Sequence, residues 1–188
     1  MFECDPLEAN RLASRIPSQR AVPPFVLRPS TGDDLGRVAA LLEDAYTTKL
    51  VDDYHPNVLN AALPVITKPK ESLIRSGTYL VADSGGGHLL AAGGWSWHGP
   101  VGGVAPRDTA HMRHVVVGSA YGGQGVGRVL LEAVMASARE AGVRRLLCVS
   151  TISAEGFYED MGFMRLADVE LTLGPGMSFP AVQMARAL

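Results

Sequence analysis

The chain has 188 residues, 47% of them hydrophobic, which suits one globular domain with a buried core. With 19 acidic and 17 basic residues the formal net charge is only −2, so the composition excludes attraction to nucleic acid or to an anionic membrane by charge alone. Its two cysteines, Cys4 and Cys148, form no disulfide framework and no metal-binding cluster, and no metal is predicted.

Residues 1–24 show no clear strand or helix pattern and end in Pro23-Pro24. We expect them to form a loosely attached, partly disordered extension before a single domain over residues 25–188. Charged side chains are spread through this segment, where a secretory signal would need an apolar stretch. Neither there nor later is there a run of about 18 apolar residues, so no membrane partner is predicted. The expected location is therefore the cytoplasm.

The first half of the domain predicts a strand over 25–28 and then a helix to about Ala45. Thr31-Gly32-Asp33-Asp34 supplies an N-cap and acidic residues for the first turn of that helix. Prolines interrupt residues 46–70, which favours short helices and loops there. A further short helix is predicted within 69–77, with proline near its start and glycine at its end.

The middle of the chain predicts a β-hairpin. Its strands cover residues 78–82 and 89–97, and its turn covers 83–87. Gly93-Gly94 within the second strand indicates a bulge or a close approach between backbones. A loop rich in glycine and proline follows over residues 98–108 and leads into the central strand.

The central feature is a short apolar strand that enters a glycine-rich turn and then a helix. Val115-Val116-Val117 favours a buried strand, and residues 126–141 carry helical periodicity up to Gly142, a typical C′ glycine. A helix that begins in such a turn points unpaired N–H groups and a positive dipole end at a bound anion. The spacing of Gly123, Gly125 and Gly127 departs from Gly-x-Gly-x-x-Gly, and no Gly-Lys-Ser/Thr follows. We therefore predict a pyrophosphate-bearing cofactor and note that the spacing matches neither the dinucleotide nor the triphosphate motif; the alternative is an ordinary strand–turn–helix with no ligand.

The last third of the chain predicts a buried strand over 144–150, a short helix, and strands over 165–173 and 180–186. Gly174-Pro175-Gly176 forms the turn between the two final strands. The predicted order is β-α-α-β-β-β-α-β-α-β-β, an α/β fold with a mixed, mostly antiparallel central sheet flanked by helices.

Two segments of the sequence resemble one family. The run from Gly122 to Gly127 is similar to the acetyl-CoA loop of the GNAT superfamily of N-acetyltransferases, Arg/Gln-x-x-Gly-x-Gly/Ala, although Gly122 stands where that family usually has Arg or Gln. The run from Ala154 to Phe163 is similar to its Ala-x-x-Phe-Tyr-x-x-x-Gly-Phe signature, although Thr151 stands where the family often has Asn. The resemblance covers roughly residues 25–188, with its specific motifs between residues 110 and 163, and implies a GNAT-like fold.

The resemblance also implies acetyl-CoA as acyl donor and a set of residues that hold it. Backbone groups of Val115 and Val117 would pair with the pantetheine arm, and N–H groups of the glycine loop would bind the pyrophosphate. The predicted cofactor-binding residues are Val115, Val116, Val117, Gly122, Gly123, Gln124, Gly125, Val126, Gly127, Arg128 and Thr151.

Acetyl transfer from a thioester to an amine needs a base for the amine proton and an acid for the leaving thiolate. Tyr158 is the predicted acid, because its position matches the family tyrosine with that role and a phenol titrates near pH ~10; the alternative is an aromatic that only packs. His111 is the predicted base, with His114 or an ordered water as alternatives. Strand alternation predicts His111 and Arg113 on one face, with Met112 and His114 on the other.

The sequence thus predicts an acyl-CoA-dependent N-acetyltransferase, an acyltransferase that acts directly on a primary amine. A small molecule is the preferred acceptor. The resemblance implies that residues 46–55 contribute to its pocket, with Tyr46, Asp52, Asp53, Tyr54 and His55 as candidate side chains; the alternative is a solvated polar loop. The alternatives are a peptide or protein N-acetyltransferase, a catalytically idle acyl-CoA-binding regulatory module, and a nucleotide-binding protein. A homodimer paired through C-terminal edge strands is a further hypothesis.

Overall fold

The computed structural model describes residues 21–99 and 106–188. Most of the predicted N-terminal extension and the middle of the predicted loop over 98–108 lie outside these residues. The described chain builds one sheet of seven strands. Their bounds are β1 Val26–Pro29, β2 Tyr79–Asp83, β3 Leu89–Ser96, β4 Thr109–Val117, β5 Arg145–Ser150, β6 Met164–Gly174 and β7 Met177–Ala187.

The helices follow the predicted order with one difference: three helices, and not the predicted two, lie between β1 and β2. They are α1 Leu35–Lys49, α2 Pro56–Ile66, α3 Glu71–Ile74, α4 Val126–Glu140 and α5 Glu155–Asp160. Short 3-10 turns precede α1 and α5 and follow β4. In the region interrupted by prolines, α2 is 11 residues long and includes Pro64 two residues before its end. Among the described helices, none is both long and apolar enough to cross a bilayer.

The strands lie in the order β1-β2-β3-β4-β5-β7-β6, and among these described strands only β4 and β5 are parallel neighbours. The predicted mostly antiparallel fold is therefore confirmed. β4 and β5 pair only at their beginnings, where Thr109–His111 faces Arg145–Leu147. Beyond that point β4 stays with β3 and β5 stays with β7, so the two strands diverge. A gap opens between them inside the sheet.

Helices cover both faces of the sheet. On one face α4 buries Leu130, Leu131 and Val134 completely, in a cluster that includes Trp95. On the other face α1 packs through the apolar side that its periodicity predicts, with Val38, Leu41, Leu42 and Ala45 buried. A third cluster joins α2 to β7. These clusters fix α1, α4 and the diverging strands relative to one another.

Gly93-Gly94 lies at both features that the sequence indicated, a bulge and a close approach between backbones. The pairing of β3 with β4 shifts register between Ala92 and Gly94, as in a bulge. A Cβ atom on Gly94 would lie 2.4 Å from the carbonyl oxygen of Thr78, so the two backbones approach too closely for any side chain.

The partner strand β4 is irregular at His114, which has a φ of 43°. Ala110 and Met112 belong to the cluster under α4, and so do Val115 and Val117. One extra residue between these pairs shifts the face to which the following side chains point. The predicted alternation of side chains between the two faces therefore holds through Arg113 and fails at His114. The prediction missed this because the sequence alone shows no sign of the irregularity.

An ion-pair network holds α1 to the edge of the sheet. Arg28 donates to the carboxylates of Asp34 at 2.8 Å and Asp83 at 2.7 Å. Arg37 donates to the same two carboxylates at 3.0 and 3.1 Å. The hydrogen bond from Arg28 is the main reason that the pKa of Asp34 falls from 3.8 to about 2, since burial acts in the opposite direction.

This network predicts a pH-dependent contribution to stability. Because the folded-state pKa of Asp34 lies below that of the unfolded chain, its ionised form stabilises the fold above about pH 4 and loses this effect toward pH 2. Asp34→Asn should lower the free energy of unfolding at pH 7 by about 2 kcal/mol. Urea unfolding across pH 2–7 measures this, with the exposed Asp33→Asn as control. The prediction would be contradicted if the difference in the free energy of unfolding between Asp34→Asn and the unmodified protein stayed constant down to pH 2.

Candidate active site

A cavity of about 550 Å³ occupies the gap between β4 and β5. Its walls come from the end of β4, the glycine-rich turn, the first turn of α4, the end of α1 and the segment around α5. The lining residues are Ala45, Tyr46, Lys49, Leu50, Val115, Val116, Val117, Tyr121, Gly122, Gly123, Gly125, Val126, Gly127, Arg128, Thr151, Ser153, Ala154, Phe157 and Asp160.

The glycine-rich turn has the backbone conformation that its sequence predicts. Gly123 and Gly125 have φ values of 71° and 83°, in the left-handed region that favours glycine. Gly127 lies so close to β4 that a Cβ atom there would be 3.1 Å from a Val117 methyl group. Gly125 is the N-cap of α4, so the unpaired N–H groups and the positive dipole end of a 15-residue helix lie at the cavity wall. This part of the cavity is built to receive an anion.

The structure brings the predicted cofactor-binding residues together. All of them except Gln124 line the cavity, including Thr151 from the far side of the gap. The Gln124 side-chain amide instead donates to the carbonyl oxygen of Ala120 at 3.3 Å, a contact within the turn. Proximity alone does not assign a ligand to these residues, and their cofactor roles stay predictions.

Helix α1 contributes to this site in a way that sequence reasoning missed. The ammonium group of Lys49 donates to the carbonyl oxygen of Val117 at 2.9 Å, and both residues line the cavity. The carboxylate of Asp44 accepts hydrogen bonds from Ser119 N at 2.7 Å and Ser119 Oγ at 2.8 Å. Both contacts join residues at least 68 positions apart, so no local pattern signals them. Together they attach α1 to the start of the glycine-rich turn.

The predicted acceptor pocket is only partly assembled. Tyr46 lines the cavity, whereas Asp52 and Asp53 are exposed and do not. The two carboxylates therefore provide no binding site for a cationic acceptor in the cavity as described.

The other two members of that set have structural contacts. The ring of Tyr54 stacks on Phe179 at 4.6 Å, and its hydroxyl donates to the Pro180 carbonyl oxygen at 2.9 Å. His55 caps α2, where its Nδ1 accepts a hydrogen bond from the backbone N–H of Asn57 at 3.2 Å. These residues fix α2 against β7.

Tyr158 lies in α5, next to the cavity-lining Phe157, and is itself only 5% exposed. Its ring packs edge-on against Phe157 and Phe163 at 5.4 and 5.2 Å, and its hydroxyl lies near the thiol of Cys148. Burial is the main reason that the pKa of Tyr158 rises well above 10. The phenol therefore keeps its proton at physiological pH, as a general acid requires, and the acid role stays a prediction.

The two histidines lie on β4 immediately before the lining residues of that strand. His111 is half-buried, and burial, with Arg113 and His98 nearby, lowers its pKa below 6.5. Burial and Arg113 lower the pKa of His114 to about 4. Both imidazoles are therefore neutral at pH 7 and able to accept a proton. Neither histidine is among the described residues that line the cavity, and the base role stays a prediction for both.

Comparisons with known proteins agree with this geometry. Residues 85–177 match the family model described as acetyltransferase (GNAT) domain, a range that includes β4, the glycine-rich turn, α4 and α5. A comparison with curated proteins gave no match.

Solved structures share the fold at low sequence identity. A GCN5-related N-acetyltransferase from Rhodopseudomonas palustris superposes with a TM-score of 0.70 at 20% identity, over 90% of this chain and 99% of that one. The PaiA N-acetyltransferase of Thermoplasma acidophilum, in complex with coenzyme A, has a TM-score of 0.65 at 12% identity, over 88% and 99% of the two chains. Rv2747 of Mycobacterium tuberculosis, in complex with CoA and NLQ, has a TM-score of 0.57 at 17% identity, over 87% and 99%. The family match across both sequence motifs shows that residues 85–177 belong to the acetyltransferase (GNAT) domain family, and the solved structures show that the chain has the GNAT fold.

Proposed function

We propose that this protein transfers the acetyl group of acetyl-CoA directly to a primary amine, and that the acceptor is a small molecule. The observation that carries the proposal is the cavity between β4 and β5, which a free strand edge and the N-terminus of α4 line together. Similar structures with coenzyme A bound support the choice of donor. The half-buried neutral imidazole of His111 and the buried phenol of Tyr158 supply a base and an acid.

The cavity walls suit two parts of the donor. Val115 and Val117 lie where β4 has left β5, so their backbone groups are placed to pair with the pantetheine amides as an added strand would. N–H groups of the glycine-rich turn and of the first turn of α4 would bind the pyrophosphate, with Arg128 adding a positive charge. Lys49 now bonds the Val117 carbonyl oxygen, and we expect a pantetheine N–H to replace it there.

The reaction replaces a C–S bond with a C–N bond and requires two proton transfers. The neutral amine nitrogen attacks the thioester carbonyl carbon, a C–N bond forms, and the C–S bond breaks. The amine loses one proton, which His111 accepts, and the departing thiolate gains one, which Tyr158 donates. The products are an N-acetylated amine and free coenzyme A, so charge and atoms balance over the cycle.

The base role predicts a pH profile. Because the pKa of His111 is lowered, this base contributes a fall in kcat/KM only on the acid side of pH 6.5, in addition to the fall that protonation of the acceptor amine itself produces at higher pH. His111→Gln should lower kcat/KM by roughly tenfold to a hundredfold and abolish that acid limb. Steady-state rates from pH 5 to pH 9 measure both. An unchanged acid limb in His111→Gln would assign the base role to His114, to water or to the amine itself.

Thermal unfolding with and without ligands tests the choice of donor. Acetyl-CoA or coenzyme A at about a hundred times its dissociation constant adds roughly 2.7 kcal/mol, which raises the unfolding midpoint by roughly 5–11 °C. We expect this shift with both coenzyme A species and none with ATP or NAD. A shift with ATP or NAD alone would replace the proposal with a nucleotide-binding protein.

Acetyl transfer to a panel of small primary amines and to peptides with free N-termini then tests the enzyme. Product formation from the small amines supports the proposal. Transfer to peptides alone would identify a peptide N-acetyltransferase. Binding of coenzyme A without transfer to any amine would identify an idle acyl-CoA-binding module.

A further inference from the structure

The order of the site along β4 shows where the reactive end of the donor would lie. The proposed pyrophosphate site follows β4, and the proposed pantetheine site is at Val117 and Val115. Continuing in the same direction, the acetyl group would lie beyond Val115, toward residues 114 to 111. An acceptor that reaches the acetyl group therefore meets the side chains of this stretch.

Arg113 is the charged side chain of this stretch. It is half-buried and pairs across the sheet with Gly94, which has no side chain to shield it. Its Nη1 donates to Ser96 Oγ at 3.0 Å and to the carbonyl oxygen of His98 at 3.4 Å. Both acceptors are neutral oxygens.

The guanidinium group of Arg113 has unused binding capacity. Arginine offers five N–H donors, and the contacts with Ser96 and His98 use only one of its nitrogen atoms. Within residues 21–99 and 106–188, no carboxylate forms an ion pair with Arg113, whereas Arg28 and Arg37 each contact two. Burial of a guanidinium without an opposite charge costs free energy, and burial lowers the pKa of Arg113 accordingly. Such a group favours an anionic ligand.

Two histidines, His111 and His98, lie near Arg113. Neither side chain can carry a negative charge, so neither repels an anion held by Arg113. In a strand, side chains two residues apart on one face are separated by about 6.5 Å. His111 and Arg113 are two residues apart in this way. If Arg113 holds the carboxylate of a ligand, an amine on that ligand one or two bonds from the carboxylate lies beside His111. This spacing matches an amino acid.

We propose that the acceptor is an amine that also carries a carboxylate, as an α-amino acid does, and that Arg113 binds this carboxylate through its free N–H groups. Two parallel N–H···O bonds fit the planar carboxylate, a geometry that lysine cannot reproduce. The inference rests on the proposed acetyl transfer to an amine and specifies the substrate class of the same site.

Matched acceptors test the inference. Alanine, leucine, phenylalanine, glutamate and lysine are each compared with the α-carboxamide and with the decarboxylated amine of the same side chain. We expect kcat/KM for the best amino acid to exceed that for its two neutral-headed analogues by roughly tenfold to a hundredfold, as a charge-assisted contact implies. Equal kcat/KM values across each matched set would overturn the inference.

Variants of Arg113 then test whether this residue causes the preference for acceptors that carry a carboxylate. Arg113→Gln should lower kcat/KM for the amino acid by at least roughly tenfold and change that for the amide by less than about threefold. Arg113→Lys should recover only part of the preference. Arg139→Gln removes the same charge from an exposed position at the end of α4 and should leave the preference intact. Coenzyme A affinity and the thermal midpoint, measured for each variant, show whether the fold and the donor site are preserved.

The two proposals fail in different ways. If the unmodified protein binds coenzyme A and acetylates no amine of any class, both the proposed function and this inference are wrong. If amines are acetylated but Arg113→Gln lowers the rates for acids and amides equally, only the carboxylate assignment is overturned. Arg113 would then support the strand through Ser96 and His98.

Discussion

Replacing Tyr158 with phenylalanine is expected to lower kcat for acetyl transfer by roughly a hundredfold to ten-thousandfold. The substitution removes the hydroxyl proton that the leaving thiolate needs and keeps the ring that packs against Phe157 and Phe163. Because the predicted cofactor residues are elsewhere, the affinity for coenzyme A should stay within about twofold. Steady-state kinetics gives the first quantity and calorimetric titration with coenzyme A gives the second.

Tyr54→Phe provides the matched control for loss of a buried tyrosine hydroxyl. Its hydroxyl bonds the backbone of Pro180 and Ile152, so its loss should cost about 1–3 kcal/mol of folding stability with little effect on kcat. If Tyr158→Phe instead retains full turnover, Tyr158 is a packing residue, and the proton for the thiolate comes from another group or from water.

Replacing Gly125 with valine is expected to weaken coenzyme A binding by roughly tenfold to a hundredfold, or about 1.4–2.8 kcal/mol. At a φ of 83° a β-branched side chain is strained although no atom lies within 4 Å, so the turn must change conformation to accept it. That change redirects the N–H groups at the start of α4, which the proposal assigns to the pyrophosphate. Calorimetric titration with coenzyme A measures the loss.

Gly142→Val is the control that introduces similar backbone strain at a position away from the proposed pyrophosphate site. Gly142 has a φ of 86° at the opposite end of α4, again with no atom within 4 Å of a Cβ atom. Both variants should lose about 1–2 kcal/mol of stability, and only Gly125→Val should lose coenzyme A affinity. Equal affinities in the two variants would show that the turn does not bind the donor.

Much of the fold was predictable because its signals are local. Periodic apolar residues defined the buried faces of α1 and α4, and the glycines at 123, 125 and 142 marked turns that need positive φ. The Gly93-Gly94 pair correctly indicated a bulge with a close backbone approach. The irregularity at His114 was missed, because a histidine with φ 43° carries no comparable sequence signal.

The sequence by itself determined the glycine-rich turn and its placement before α4, because backbone conformation and helix N–H groups depend on neighbouring residues. It also determined the family, through two motifs about thirty residues apart. Only the tertiary structure decided that β4 and β5 diverge, that Lys49 reaches the Val117 carbonyl oxygen, and that Arg113 lacks a described carboxylate partner. These features depend on contacts between residues far apart in the chain, which form only when helices pack on both faces of the sheet.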